Sequence, residues 1–260
     1  MDRLHYDACP RSALVDPLAR PDELLARLAQ YGITVFSGID DAAGLINLAQ
    51  TIGVVLPHPD SDMHGVTVIA EREHSADGAV AAGFTRAALV PHTDRADMPL
   101  PPPVLVNLCT VQADAGGEST FVDGAAVHRL LAAQAAGALR ALSQPRAVAY
   151  GRTHVYAGPV FEPTDDGQRL RLRIWPREAG RFSREAEAAL DELQRAIAAQ
   201  TLTLRLKAGQ GYVIDNHRWL HGRLAYIGDR VVLRIGVAPH QRALLKTGIP
   251  NTPQQGALPQ

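Results

Sequence analysis

The chain has 260 residues, 46% hydrophobic and 20% charged, which is enough apolar material for one large buried core and an ordinary charge load for a globular protein. A formal net charge of −1 gives no electrostatic reason to expect a nucleic-acid or membrane-surface partner. The opening Met1-Asp2-Arg3-Leu4-His5 lacks a basic stretch followed by an apolar one, so no signal peptide is expected, and no apolar run reaches the roughly 18–20 residues of a membrane span.

The two cysteines, Cys9 and Cys109, do not make a disulfide framework. Cys109 sits in an apolar strand pattern and reads as a buried thiol, and a cytoplasmic, reducing location is expected. Composition leaves open whether copies of the chain associate into a homo-oligomer.

Residues 21–31 carry helix signals: Pro21 at a first position, Asp22 and Glu23 in the first turn, and Leu24, Leu25 and Leu28 on one face. Ile33–Phe36 follows as a short strand. Asp40 or Asp41 can cap a second helix ending near Gly53. Residues 57–91 are poorly patterned, with Pro, Gly, Asp and three histidines, and are expected to form a binding loop or lid. Val104–Val111 reads as a strand, 112–118 as a turn, and Ser119–Val122 as strand again. Asp123 can cap an Ala/Leu-rich helix through about Leu142. Residues 147–161 and 169–175 read as strands, the second alternating Leu170, Leu172 and Ile174 with Arg169, Arg171 and Arg173. Ser183 can cap a helix with Leu190, Leu193 and Ile197 on one face. Strand patterns at 201–206, 211–215 and 230–237 close the series. No repeat or linker divides the chain, so 1–246 is expected to be a single domain and 247–260, rich in Pro, Gln and Gly, a flexible tail. Many short strands with a few amphipathic helices predict a mainly β fold with flanking α: a β-barrel or jelly roll buttressed by helices.

Val90-Pro91-His92-Thr93-Asp94 holds the first chemical signal. In an extended segment residues i and i+2 point the same way, so His92 and Asp94 can grip one ion without bending the backbone. A third ligand must come from elsewhere, and Tyr212–Arg223 offers His217 and His221. Two histidines and one carboxylate on one face of an ion form the facial triad of non-haem iron oxygenases, which leaves open positions for a chelating co-substrate and O2. A lone His-x-Asp is weak: His58-Pro59-Asp60 is a second one, followed by Asp62 and His64, and it reads as solvated loop or lid. Further on, Arg230-Val231-Val232-Leu233-Arg234-Ile235-Gly236-Val237 alternates, with Arg230, Val232 and Arg234 on one face. If that face looks into a barrel, two arginines there need anions; periodicity alone allows the solvent side equally.

These residues resemble the taurine dioxygenase/clavaminate synthase-like superfamily of Fe(II)- and 2-oxoglutarate-dependent dioxygenases. His92-Thr93-Asp94 looks like its His-x-Asp/Glu motif. Ala115-Gly116-Gly117-Glu118-Ser119-Thr120 looks like its glycine turn with a following Ser or Thr. Asp215-Asn216 with His221-Gly222-Arg223 looks like the distal histidine segment, and Arg230 and Arg234 like its Arg-x-x-x-Arg strand. The resemblance covers most of the chain and implies a double-stranded β-helix, cupin-like. It implies His221 rather than His217 as the third iron ligand. It gives Arg230, assisted by Ser119, the distal carboxylate of 2-oxoglutarate, and Arg234 an anionic group of the substrate. The spacing from His221 to the arginines is shorter than usual, so the two roles can exchange. The presence of Asp94, which relatives that halogenate replace with Gly or Ala, favours hydroxylation, desaturation or ring closure over halogenation. The implied reaction oxidises an unactivated C–H bond of a small polar, carboxylate-bearing molecule such as an amino acid, with succinate and CO2 released.

Thr93, Arg95 and Arg173 are further candidates to touch substrate, although an alternating Arg face such as 169–173 is more often solvated. Trp175, Trp219 and His128 read as packing residues. Two rivals share parts of the pattern. A cupin-like metal hydrolase or isomerase needs the three ligands but not the arginine pair or Ser119. A non-catalytic sensor on the same fold has no need of a complete ligand set.

Overall fold

The computed structural model describes residues 14–72, 81–151, 155–241 and 245–251. Helix α1 (Pro21–Tyr31) starts with proline where a missing N–H costs nothing, and buries Leu24 and Leu28. Helix α2 (Ala42–Ile52) is capped by Asp41, whose carboxylate accepts the Gly44 N–H at 2.8 Å. Asp123 caps α3 (Gly124–Gln134) in the same way through the Ala125 N–H. The expected continuous helix to Leu142 breaks at Ala135 (φ −146°), and α4 (Ala136–Leu142) sets off in a new direction. Gly137, in the first turn of α4, weakens a continuous helix there, and the break lets α4 pack along α5 (Arg184–Ala199). Ser183 caps α5 as expected.

Two antiparallel sheets face each other. The larger runs Ile33–Ser37, Gln210–Asp215, Val104–Val111, Val231–Pro239 and Gly53–Leu56 in spatial order, with Thr67–Ile69 also paired to Val231–Pro239. The smaller runs Leu202–Leu204, Ser119–Asp123, Trp219–Arg223 and Leu89–His92. Their inner faces meet in one cluster, with Leu105, Tyr212, Ile214 and Val232 from the first and Phe121 and Trp219 from the second. The outer face of the larger sheet, including Val106, Leu108, Val213, Leu233 and Ile235, is covered by Leu24 and Leu28 of α1 and Leu45 and Leu48 of α2. Val104–Cys109 is therefore buried on both faces, which is why it reads as a continuous apolar run rather than an alternation. A second helical layer, α3 to α5, packs Leu131, Leu142, Leu190 and Leu193 against Tyr150, Phe161, Leu170 and Leu172. This is the jelly roll with helical buttress expected from the pattern.

Three expectations need correction. The strand expected over 147–161 is a hairpin pair, Val148–Tyr150 with Tyr156–Gly158, followed by Phe161–Pro163; residues 152–154 lie outside the described residues. Trp219–Arg223 is a strand that periodicity did not pick out. The segment from 247 does not fray at once: Ile249–Pro250 pairs with Arg169–Leu170, and Ile249 is buried. Cys9 and residues 252–260 lie outside the described residues. Among the described residues no helix is long and apolar enough to cross a membrane.

Candidate metal centre

His92 closes one strand of the smaller sheet, and His221 is its direct cross-strand partner, with ring centroids 4.7 Å apart. Gly222 permits that approach: a Cβ there would lie 2.4 Å from the Leu89 carbonyl oxygen. Asp94 follows two residues after His92, and its Oδ1 lies 3.4 Å from Nε2 of both histidines. One ligand atom from each residue falls within 4.8 Å of the others, and this is the one such cluster among the described residues. All three side chains are buried.

The donor chemistry fits a cation. His92 Nδ1 lies 2.9 Å from the Val90 carbonyl, which can only accept, so Nδ1 carries the proton and Nε2 keeps its lone pair. Among the described residues both ring nitrogens of His221 are buried without a hydrogen-bond partner, a costly state that ligation through Nε2 relieves in part. Burial holds the His221 pKa below its ordinary value, against the pull of Asp94, so the ring is neutral and able to ligate. Burial pushes the Asp94 carboxyl up, but the Arg234 charge, and next the two imidazoles beside it, outweigh burial and hold it well below the usual range.

Asp94 is gripped twice. Arg234 Nη1 lies 2.5 Å from Oδ2, which leaves Oδ1 turned to the histidines. Asn216 meets its backbone: Oδ1 accepts the Asp94 N–H at 2.8 Å, and Nδ2 donates to the Asp94 carbonyl at 3.0 Å. His217, the other candidate ligand by spacing, is committed elsewhere. Its Nε2–H donates to the Pro101 carbonyl at 3.1 Å, and Nδ1 accepts from the Thr247 hydroxyl at 3.2 Å. Burial presses its pKa down to about 3.

The cluster sits in a cavity of about 280 Å³ between the sheets. Arg230, Val232 and Arg234 all line it, so the alternating arginine face looks inward. Leu233, Ile235 and Val237 take the opposite face, in the core under α1 and α2. Ser119 lines the cavity and is buried. Arg230 is 9% exposed and forms no ion pair among the described residues. Gly117, at φ 73°, backs it: a Cβ there would come within 3.1 Å of Arg230 Cδ. The described part of 57–91 forms a wall, with His58, Asp60, Ile69 and Phe84 on the cavity. His58 is therefore not a solvated loop residue; burial first, and Arg234 next, lower its pKa. Arg223, buried, donates to the carbonyls of Gly83, Thr85 and Ala87 and so fastens that wall.

Of the remaining candidates, Arg95 lines the cavity at φ 56°, the one positive-φ non-glycine among the described residues. Its Nε stands 3.6 Å from Asp97 Oδ1, also on the cavity. Thr93 turns away: its hydroxyl donates to the Ile174 carbonyl and accepts the Ile174 N–H. Arg173 is neither solvated nor in the cavity. It is fully buried, pairs with Glu162 at 2.8 Å and donates to the carbonyls of Ala96, Met98 and Pro99, which ties down the turn after the metal motif. Trp175, expected to be packing alone, does reach the cavity.

Residues 11–235 match the profile of the taurine catabolism dioxygenase TauD, TfdA family. The chain belongs to this family. The TauD/TfdA match spans every segment that builds the cavity, from His58 to Arg234. A curated relative, the gamma-butyrobetaine dioxygenase of Pseudomonas sp. (strain AK-1), is 28% identical over 224 residues, covering 80% of this chain and 57% of its own length. The chain thus spans little more than half the length of that relative. Among solved structures, asparagine oxygenase with Fe(II), 3-hydroxyasparagine and succinate is similar at TM-score 0.68 and 19% identity, over 85% of this chain and 79% of its own. The non-haem iron oxygenase OrfP with Fe and alpha-ketoglutaric acid is similar at TM-score 0.67 and 18% identity, over 85% and 81%. PvcB from Pseudomonas aeruginosa is similar at TM-score 0.65 and 22% identity, over 87% and 83%. These likenesses place the TauD/TfdA chain in the double-stranded β-helix fold.

Sequence reasoning on this TauD/TfdA chain gave no role to Asn107 and Tyr212, and quoted Asn216 in the distal-histidine segment without assigning it one. Asn107 and Tyr212 are cross-strand partners on the cavity floor, in register with Arg234. Asn107 gave a signal, since it is the one amide in the apolar run Val104–Cys109 and a buried polar residue there needs a reason.

Proposed function

We propose that this chain is an Fe(II)- and 2-oxoglutarate-dependent dioxygenase that hydroxylates an unactivated C–H bond of a small polar molecule bearing a carboxylate, an amino acid or a derivative. The observation that carries the reading is a cavity that holds two histidines and a carboxylate at ligating distance beside a buried arginine with no ion-pair partner among the described residues. His92 and His221 would hold the ion through Nε2 and Asp94 through Oδ1, which would leave positions open for a chelating co-substrate and O2. Iron bound there supplies O2 activation coupled to the conversion of 2-oxoglutarate to succinate and CO2.

The chain's own part is binding, orientation and exclusion of water. Arg230 takes the distal carboxylate of 2-oxoglutarate in a two-pronged grip, with the Ser119 hydroxyl donating to the same group. Arg234 has one nitrogen committed to Asp94, which favours Arg230 for the co-substrate and leaves the rest of the Arg234 guanidinium for a second anionic group. Arg95 and Asp97 offer a cation and an anion side by side, which suits a molecule with both a carboxylate and an amine. Phe84 and Trp175 supply apolar wall that keeps water from the reacting C–H. The amino-acid class is supported by solved neighbours that hold hydroxylated asparagine or hydroxylated arginine beside iron and succinate. Asp94 in the position of the ligating carboxylate supports oxygen insertion rather than halogen transfer.

The test is succinate release and O2 uptake by the purified chain with Fe(II) and 2-oxoglutarate over a panel of amino acids and derivatives, followed by product mass. The expected result is a substrate-dependent rise in both and a product one oxygen heavier. No turnover across the panel, together with no anaerobic binding of 2-oxoglutarate, overturns the reading. Turnover of carboxylate-free compounds alone overturns the carboxylate assignment.

A further inference from the structure

We propose that Asn216 is the positioning residue for Asp94, acting on the ligand's backbone rather than on its carboxylate. The proposal rests on reading His92, Asp94 and His221 as a metal centre. Asp94 lies outside any strand: the strand that carries His92 ends there, and two residues later the backbone enters a turn with Arg95 at φ 56°. No ladder bond reaches Asp94 itself; the preceding Thr93 N–H bonds the Ile174 carbonyl at 2.7 Å, and a side chain holds Asp94. The Asn216 amide pairs with both the N–H and the C=O of Asp94, as a neighbouring strand would, at 2.8 and 3.0 Å. Its second amide hydrogen goes to the Pro102 carbonyl at 2.9 Å, and its own N–H to the Pro103 carbonyl at 2.9 Å. Asn216 is 1% exposed, so both ends of its amide are spent on these contacts.

The chemistry is specific to asparagine. Aspartate keeps the acceptor for the Asp94 N–H but sets an oxygen against the carbonyls of Asp94 and Pro102. Serine is too short to span both groups. Asn216 and His221 also share one segment, so the clamp couples the position of one ligand to the strand that delivers another. A residue that only stabilises the fold has no reason to hold a ligand's backbone at two points.

Fe(II) or Co(II) affinity of the full chain is measured anaerobically, with thermal midpoints of the metal-free proteins, for wild type, Asn216→Asp, Asn216→Ser and His217→Gln. His217 is the control: it is also buried in the same turn but binds Pro101 and Thr247 rather than a ligand. All three variants are expected to lose thermal stability. The Asn216 variants are expected to bind metal roughly 10- to 100-fold more weakly, and His217→Gln to stay near wild type. Metal affinity in the Asn216 variants equal to that of His217→Gln overturns the proposal. No metal binding by wild type overturns the metal centre itself. Hydrogen exchange at the Asp94 amide needs no variant: it is expected to be slow in metal-free wild type, and protection that appears only after metal is added also overturns the proposal.

Discussion

His217 and His221 lie four residues apart and are both buried, yet their partners give them opposite chemistry. Each His217 nitrogen has a hydrogen-bond partner; among the described residues neither His221 nitrogen has one. His221→Ala is therefore expected to abolish iron binding. His217→Ala should keep iron and lose roughly 1–3 kcal/mol of stability, the range for orphaning buried hydrogen-bond partners. Anaerobic titration and urea denaturation check the pair, and equal loss of iron in both contradicts the assignment. The arginines divide by the same logic. Arg234 already faces a carboxylate, and Arg230 faces none among the described residues. Arg230→Ala is expected to raise the Kd for 2-oxoglutarate on the order of 10- to 100-fold, as loss of charge-assisted hydrogen bonds does. If Arg234→Ala weakens 2-oxoglutarate binding and Arg230→Ala does not, the roles are exchanged.

At the scale of elements, the motif His221-Gly222-Arg223 is one strand doing three tasks. His221 faces the ion site, Gly222 lets Leu89–His92 pass close, and Arg223 fastens the 83–87 wall. Gly222→Ala puts a methyl against backbone, so the strands must part. It is expected to lose metal affinity by more than tenfold while far-ultraviolet circular dichroism stays native; unchanged affinity counts against the close approach as the reason for glycine. The strands that build the larger sheet were legible because a continuous apolar run, as at Val104–Val111, and an inward alternation, as at Val231–Pro239, both stand out. The spacing of His92 and Asp94 marked the pair, although only His92 is in a strand and Asp94 lies in the turn that follows. Trp219–Arg223 was not legible, because it is buried throughout and mixes Trp, His, Gly and Arg without alternation. Arg173 misled for a related reason. It keeps the period of Arg169 and Arg171, but beyond Leu172 the chain leaves the strand and the third arginine turns into the interior to satisfy three carbonyls. Asn216 belongs to a turn, whose long-range partners leave no periodic signal.

The whole molecule is joined at that turn. Asp215 donates its N–H to Gly32 behind α1, His217 accepts the Leu172 N–H from the neighbouring sheet, and the Asp215 carboxyl accepts from Gly248 before the last strand. Two buried ionisable groups here pull stability in opposite directions with pH. Burial raises the Asp215 pKa from 3.8 to about 7, so between those values the native state holds a proton that the unfolded chain has released. Its contribution to stability therefore falls as pH rises through that window and is level above it. Burial lowers the His217 pKa from 6.5 to about 3, so between those values the unfolded chain binds a proton that the native state refuses. Its contribution falls as pH drops through that window. Across the shared range the two slopes oppose, and in wild type they largely offset each other. His217→Gln removes one slope and exposes the other. In chelator-treated protein, the gap in thermal midpoint between wild type and His217→Gln is expected to be widest near pH 7.5 and to narrow steadily towards pH 4.5. A gap that stays constant shows that His217 is not held neutral. A gap that widens on acidification reverses the sign and places the proton on the native imidazole, which the Nδ1 contact to the Thr247 hydroxyl and the single carbonyl at Nε2 leave without a charged partner to justify it.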